Sequence, residues 1–271
     1  MMKKMFASNN ISPTYLLVRY CLEFLVVVFG ITVSFWLNEW SQTRKEVEKH
    51  NKDTIDLLED LALDKERLDF VKGCIDDGMV NTGRILDSHL LLQHGELDYR
   101  DFVDTLVTIK WPYNSSTFFM NNGTYKSLIS SGRIQYFPSD VEKEIKDYYE
   151  YVSKRVDDNN KLIDQAALDY NSRQHVVGTM VDDIVRSVKL KNGEEVGSPA
   201  WLAGTDELQL HYSGLEYFTQ TMAIRRQIFV HDYQLNLYLR MWNRTDSIIR
   251  SYMGSDLVGI QKIGSVPGTG L

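Results

Sequence analysis

The side chains most able to carry chemistry in this 271-residue sequence are its six histidines. None of them has the H-E-x-x-H arrangement or another spacing at which histidines share a zinc ion. His89 and His94 are five residues apart and so do not lie on one helical face, and we interpret both as surface or helix-capping residues. The histidines therefore predict no metal site.

Acidic residues and nucleophile motifs are the next candidates for a catalytic site. Asp76-Asp77-Gly78 lacks the other ligands of a calcium loop, and pairs such as Asp157-Asp158 and Asp182-Asp183 are typical of solvated helix faces. No G-x-S-x-G element and no phosphate-binding loop occurs. We therefore expect no catalytic residue, no cofactor and no enzymatic activity, although a carboxylate pair could still assemble in space from distant positions.

Aromatic residues form a third group, with fifteen tyrosines in the chain. Tyr148 and Tyr149 are adjacent, and Tyr125 lies in the distinctive stretch 116–137, where Asn121-Asn122-Gly123 predicts a tight turn before a short helix. Two interpretations are open. The tyrosines either pack in the core with their hydroxyls at its rim, or they form a ligand or partner surface.

The elements that would position these residues are predicted to be helices. Apolar positions recur at spacings of seven, four, three and seven from Val47 through Thr54, Leu58 and Leu61 to Leu68, which predicts a helix with one apolar seam. Further helices are predicted over 73–92, 98–110, 121–131, 139–167, 175–189 and 208–253, and an exposed loop or hairpin over 191–205. S-D-V-E from Ser139 predicts a capping box, and Gly132 a helix C-cap.

The fold class predicted is all-α, in which one N-terminal transmembrane helix continues into a soluble helical bundle. The predicted divisions are an N-terminal tail, the transmembrane helix, the helical soluble domain and a flexible tail, at 1–14, 15–40, 41–255 and 256–271.

The transmembrane helix is predicted from the apolar run between Leu16 and Leu37, whose only charges are Arg19 and Glu23. Such a run spans about 33 Å as a helix, close to the thickness of one hydrocarbon core. Tyrosine and tryptophan side chains flank it as membrane-interface anchors should, at Tyr15, Tyr20, Trp36 and Trp40. No small-x-small cleavage site follows, so a signal peptide is disfavoured.

One side of this helix is small and polar. At 100° per residue, five side chains fall within about 60° of one direction, away from the bulky aromatic residues: Arg19, Glu23, Gly30, Ser34 and Asn38. Gly30-x-x-x-Ser34 is the spacing that lets helices approach closely, so we predict that this stripe contacts another transmembrane helix. Two alternatives stay open: Glu23 pairs with Arg19 one turn away with no partner, or Glu23 serves an ion path.

Charge separates the two parts of the chain. Residues 1–45 carry five basic and two acidic side chains, a net +3, so the total of −7 leaves −10 for the remainder. An acidic domain without a basic block is a poor nucleic-acid ligand, and we exclude that class. Lys3, Lys4 and Arg19 favour a cytoplasmic N-terminus, opposed by basic residues after the span. We expect the bacterial inner membrane, with the soluble domain in the periplasm.

Two motifs resemble those of a bacterial family of single-span membrane proteins with no assigned function. The pattern of that family is Y-x-x-G-E, then V-x-G-I, then N-x-W, and this chain matches it at Glu23, Gly30, Ile31, Asn38 and Trp40. Cys21-Leu22 replaces the expected Ile-Gly. Thr124 to Arg133 is similar to a second element, T-Y-x-x-L-x-x-S-G. The resemblance implies a membrane location and a helical domain, and it implies no activity.

The function expected from the sequence is that of a membrane-anchored helical interaction or accessory subunit. Its partners would be the lipid bilayer and either further copies of the chain or a larger membrane complex, and sensing is one version of this role. The alternatives are a component of an oligomeric pore, with Arg19 and Glu23 facing water, and a membrane-tethered hydrolase with an unrecognised site.

Overall fold

The computed structural model describes the backbone of residues 13–180 and 198–264 and the side chains of residues 17–180 and 198–255. The described residues contain helices and no strand, which confirms the predicted all-α class. Contacts divide the chain into two compact units, Met1–Asp53 and Thr54–Leu271.

The first helix, α1, runs without interruption from Pro13 to His94, a length of 82 residues. The prediction of a separate helix beginning at Gly73 was therefore wrong. One glycine inside a helix costs only about 1 kcal/mol relative to alanine. Burial of Val71 and Ile75 on either side of Gly73, both fully inaccessible, outweighs that cost.

The second unit contains the C-terminal half of α1 and all later elements. The helices that follow are α2 (Tyr99–Ile109), α3 (Gly123–Ser130), α4 (Ser139–Lys146), α5 (Ser153–Asp169), α6 (Val177–Met180), α7 (Pro199–Gly204), α8 (Asp206–Ser213) and α9 (Leu215–Gly264). A short 3₁₀ helix, Arg133–Tyr136, follows the turn at Gly132, whose φ of 71° satisfies the predicted glycine C-cap.

The stretch predicted as one helix over 139–167 is interrupted by one irregular segment, and a second irregular segment follows it. A π-helical segment, Asp147–Val152, separates α4 from α5, and a second one, Tyr170–Gln174, follows α5. The capping box is absent because Pro138 is the N-cap of α4 and Ser139 is already its first helical residue. Each π segment aims tyrosines into the core, as described below.

The last two predicted segments, the loop over 191–205 and the helix over 208–253, differ from the structure. The described part of the stretch predicted as a loop, after residue 197, forms α7, because Ser198 accepts a hydrogen bond from the Trp201 amide and Pro199 suits the first helical position. The helix predicted over 208–253 is broken at Gly214 into α8 and α9. α9 extends to Gly264 and so includes the beginning of the predicted tail, whose last residues lie outside the described part.

Two hydrophobic clusters form the core of the second unit. The larger one joins α1, α4, α5 and α9, and Trp242 Nε1 in α9 donates to the Leu61 carbonyl in α1 at 2.6 Å. The Lys72 ammonium and the Asp232 carboxylate add an ion pair between the same two helices at 3.0 Å. The smaller cluster lies around α2, α7 and α8, and its largest fully buried side chains are Phe102, Tyr212 and Tyr217.

Candidate functional site

The apolar part of α1 in the first unit is long and hydrophobic enough to cross a membrane. An 18-residue window of the helix has a mean hydropathy of 2.0, and none of it is buried. Phe24 and Phe29 are 68% and 72% exposed. An exposed surface of this kind is compatible with a membrane anchor.

The predicted interface anchors are described at three of their four positions. Tyr20, Trp36 and Trp40 are all more than half exposed, whereas the side chain of Tyr15 lies outside the described residues. Their place at the membrane interface stays a prediction.

The two charges of the span are paired with each other. Arg19 Nε donates to Glu23 Oε1 at 2.9 Å, across one helical turn. This geometry is the alternative in which each charge finds its partner on its own helix. Arg19 and Glu23 therefore do not require a second helix, and the predicted helix contact depends on the small residues further along the stripe.

Gly30, Ser34 and Asn38 lie in a shallow groove along the helix, which Val26, Val27, Ile31 and Phe35 also line. A Cβ atom on Gly30 would meet nothing within 4 Å. The Ser34 hydroxyl donates to the Gly30 carbonyl at 2.8 Å, so it forms its hydrogen bond within the helix. The groove is open in this chain, and its occupation by another helix stays a prediction.

In the second unit, the most unusual residue is Asp64, a fully buried carboxylate on α1. Its Oδ1 accepts hydrogen bonds from the Asn121 amide at 2.7 Å and from Asn121 Nδ2 at 3.0 Å, and its Oδ2 accepts one from the Tyr148 hydroxyl at 2.9 Å. We call this three-residue arrangement the clasp. The clasp joins α1 to Asn121, which precedes the N-cap of α3, and to the first π-helical segment.

Burial controls the electrostatics of the clasp. It raises the pKa of Asp64 to about 6, because the charged form loses hydration. The three hydrogen bonds favour the charged form and lower the pKa, but by less than burial raises it, and the charge of Asp60 one turn away raises it further. Asp64 is thus an acid whose folded pKa lies well above its ordinary value.

Two neighbours of Asp64 on the same face of α1 hold the adjoining backbone. Asp60 Oδ2 accepts from the Thr124 amide at 3.2 Å, at the start of α3. Arg67 donates through Nε and Nη2 to the Thr117 carbonyl at 3.1 and 2.9 Å. The spacing of 60, 64 and 67 places all three side chains on one side of the helix. Residues 116–124 are therefore fastened to α1 by three polar side chains in succession.

The tyrosines predicted as either core or ligand surface are buried. Tyr125, Tyr148 and Tyr149 are 8%, 0% and 2% exposed, the rings of Tyr125 and Tyr149 stack at 4.8 Å, and Tyr148 meets Tyr149 edge to face at 5.0 Å. The Tyr125 hydroxyl donates to Glu150 Oε1 at 2.6 Å. These positions match the core-packing interpretation, and the three side chains form no open surface of this chain.

Sequence reasoning missed Asp64, although a signal was present. The apolar seam of α1 has a gap of six residues between Leu61 and Leu68, and Asp64 lies at the inward position within that gap. A carboxylate at a core position requires buried donors. The amide-rich pair Asn121-Asn122 was the part of the sequence able to supply them.

A second buried polar group surrounds Tyr217 at the start of α9. The Tyr217 hydroxyl and His175 Nδ1 are 2.7 Å apart, and both residues are fully buried. Burial lowers the pKa of His175 to about 3, so the imidazole is neutral at physiological pH. The second π-helical segment contributes Tyr170, whose hydroxyl bonds the Thr221 hydroxyl at 2.8 Å.

The two histidines interpreted as surface or helix-capping residues differ in their burial. His89 is only 2% exposed and packs against Phe102 and Tyr217, so its assignment to the surface was wrong, whereas His94 is exposed at the end of α1. The helix continues through residue 89, which turns His89 inward. Among the described residues, no group of three or more His, Cys, Asp or Glu side chains is arranged to hold a metal ion.

Replacing Tyr217 with phenylalanine should destabilise the second unit by about 1–3 kcal/mol, because a buried hydrogen-bonding nitrogen of His175 loses its partner. Chemical denaturation would measure the change. Tyr233→Phe on the same helix is the matched control, since Tyr233 is 61% exposed and its change should stay within about 0.5 kcal/mol. Equal effects at the two positions would contradict a structural role for the pair.

Comparison with known proteins identifies a family that covers much of the chain. The sequence model of a family of unknown function, DUF6090, matches residues 23–192, which is more than half of the chain. The matched region includes most of the apolar part of α1, the clasp and the tyrosines around it. No curated protein and no solved structure matches the chain.

Proposed function

Since the chain belongs to the DUF6090 family, whose description gives no function, we propose a function on physical grounds. The protein is a membrane-anchored helical interaction or accessory subunit, which assembles through its transmembrane helix with further copies of itself or within a larger membrane complex. It is not an enzyme. Sensing by the helical domain is one version of this role.

The observation that supports the proposal most is the exposed surface of the apolar helix and the groove on one side of it. Its bulky side chains are exposed throughout, and one side offers the open groove around Gly30 and Ser34. Lipid covers a bulky apolar surface, whereas a groove between small residues is best filled by a second helix, which gains close van der Waals contact there. An anchor that only tethered a domain would need no such groove.

The alternatives receive less support from the same geometry. A pore lined by Arg19 or Glu23 would need a charge free to attract ions, whereas the two side chains form an ion pair with each other along one helix. A hydrolase would need titratable groups open to substrate, whereas Asp64 and His175 are both fully buried and bonded to tyrosines.

The proposed location is the bacterial inner membrane. The basic residues at positions 3, 4 and 19 support a cytoplasmic N-terminus and a periplasmic helical domain, against the opposing basic residues after the span. The family resemblance noted above, with its single-span signature, supports the same location.

A paired substitution tests the proposed assembly. Ser34→Leu fills the groove and should weaken helix association about tenfold, the loss expected from one close interhelical contact. Thr32→Leu is the matched control, because Thr32 makes the same 2.8 Å bond to a carbonyl one turn back but points to the opposite side. The measurement is the association constant of the full-length protein in mild detergent, obtained from its mass over a series of protein concentrations. An unchanged association constant for Ser34→Leu would refute the interface.

A further inference from the structure

We propose that Asp64 and Tyr148 make the clasp a proton-sensitive contact: uptake of one proton by the Asp64 carboxyl reverses the Tyr148 hydrogen bond and weakens the hold of α1 on Asn121. This inference concerns the second unit alone and does not depend on the proposed assembly through the membrane helix.

The hydrogen-bond inventory of the clasp leads to this proposal. All three groups that meet the Asp64 carboxylate are donors: the Asn121 amide, Asn121 Nδ2 and the Tyr148 hydroxyl. An ionised carboxylate can satisfy all of them because it only accepts. When a proton from solvent binds Oδ2, that oxygen becomes a donor, and Tyr148 must turn its own hydrogen away and accept instead.

The two bonds from Asn121 then change in strength. They end on Oδ1, which in the neutral acid is a carbonyl oxygen and no longer carries charge. Hydrogen bonds to a charged acceptor are about twice as strong as neutral ones. Asn121 precedes the N-cap of α3, so this loss loosens the point at which α1 holds the start of that helix.

The surroundings of the clasp favour proton uptake in a physiological range. Asp60 on α1 is the charged side chain that faces Asp64, and its negative charge favours the neutral acid. From the first π-helical segment, Tyr148 and Tyr149 face Asp64, and burial keeps both phenols protonated. Glu150 is engaged by the Tyr125 hydroxyl. Burial of Asp64 raises its pKa to about 6, so its carboxyl takes up the proton as the pH falls from 7 to 5.

Hydrogen exchange on the full-length protein tests the proposal. In a local opening Asn121 separates from Asp64 while the carboxyl stays buried, and proton uptake favours this opening because the hydrogen bonds from Asn121 lower the pKa of Asp64. The protection factor of the Asn121 amide against local opening, corrected for the intrinsic pH dependence of exchange, should fall about tenfold between pH 7 and pH 5, the difference between a charged and a neutral acceptor. Global unfolding, which exposes Asp64, becomes less favourable over the same window, so the two effects have opposite signs. The Asp101 amide is an internal control, because it bonds the Asp98 carboxylate at 2.9 Å in the exposed first turn of α2. Its protection should stay constant over this window.

Asp64→Asn provides a second test, because the side-chain amide of asparagine is uncharged at every pH. In this variant the Asn121 protection should be low at pH 7 and should not change toward pH 5. Constant Asn121 protection in the wild-type protein, or an equal fall at Asn121 and Asp101, would overturn the proposal. The wild-type measurement tests the proposal even if the variant does not fold.

Discussion

Replacing Asp64 with alanine should lower the free energy of unfolding by about 3 kcal/mol at pH 7, a large fraction of the stability of an ordinary domain. The change removes the acceptor of three hydrogen bonds and leaves the Tyr148 hydroxyl, which is fully buried, with no partner. Each buried donor left unsatisfied costs about 1–3 kcal/mol. Urea denaturation followed by circular dichroism would measure the loss.

Asp64→Asn is the control that separates the charge from the hydrogen bonds. The amide keeps an oxygen for Asn121 and carries no charge to bury, so we expect it to be much less destabilising than alanine. If asparagine and alanine were equally destabilising, the hydrogen bonds to Asn121 and Tyr148 would not be the source of the effect.

The difference in stability between the wild-type protein and Asp64→Asn should depend on pH. Burial places the pKa of folded Asp64 at about 6, above its ordinary value of 3.8, so the folded state binds the proton more tightly than the unfolded state. The contribution of Asp64 to stability therefore rises as pH falls from about 6 to about 4, by about 3 kcal/mol for a shift of this size. The stability difference between wild type and Asp64→Asn should change in favour of wild type over that window.

Removing residues 1–40 should move the protein from the membrane fraction to the supernatant. The wild-type chain should stay with membranes through an alkaline carbonate wash, because its exposed apolar helix can leave water only by entering lipid. The shortened chain loses that helix segment but keeps every buried hydrophobic residue described, the first of which is Leu57.

Folding of the shortened chain is the control for this experiment. Its thermal unfolding by circular dichroism should remain cooperative, since both hydrophobic clusters lie in the unit that begins at Thr54. A shortened but folded chain that still sediments with membranes would contradict the anchor, as would a wild-type chain released by carbonate.

Periodicity in the sequence predicts the helices well and their ends poorly. The apolar seam of α1 from Thr54 to Leu68 and the glycine cap at Gly132 follow from local chemistry, and the structure confirms them, whereas Val47 at the start of the predicted seam is exposed. The breaks depend on competition between local preference and packing. Gly73 does not end α1 because its neighbours are buried, whereas Gly214 separates α8 from α9 with an extended backbone.

The buried polar groups could not be assembled from the sequence. Asp64 meets Asn121 and Tyr148 across separations of 57 and 84 residues, and His175 meets Tyr217 across 42. Only the packing of α1 against the later helices brings them together. The two π-helical segments, which turn Tyr148, Tyr149 and Tyr170 inward, leave no periodic signal distinct from that of an α-helix.

Cysteine cross-linking in native membranes tests the central claim most directly, namely that the small and polar side of the transmembrane helix contacts another helix. In a full-length chain with Cys21→Ser and Cys74→Ser, cysteines would be placed singly at Gly30, Ser34 and Asn38, and at Thr32 and Trp36 away from the stripe. The proposed interface predicts cross-linked products, with a second copy or with another protein, from Gly30→Cys, Ser34→Cys and Asn38→Cys and not from Thr32→Cys or Trp36→Cys. Products of equal yield around the whole helix, or none at any position, would contradict it.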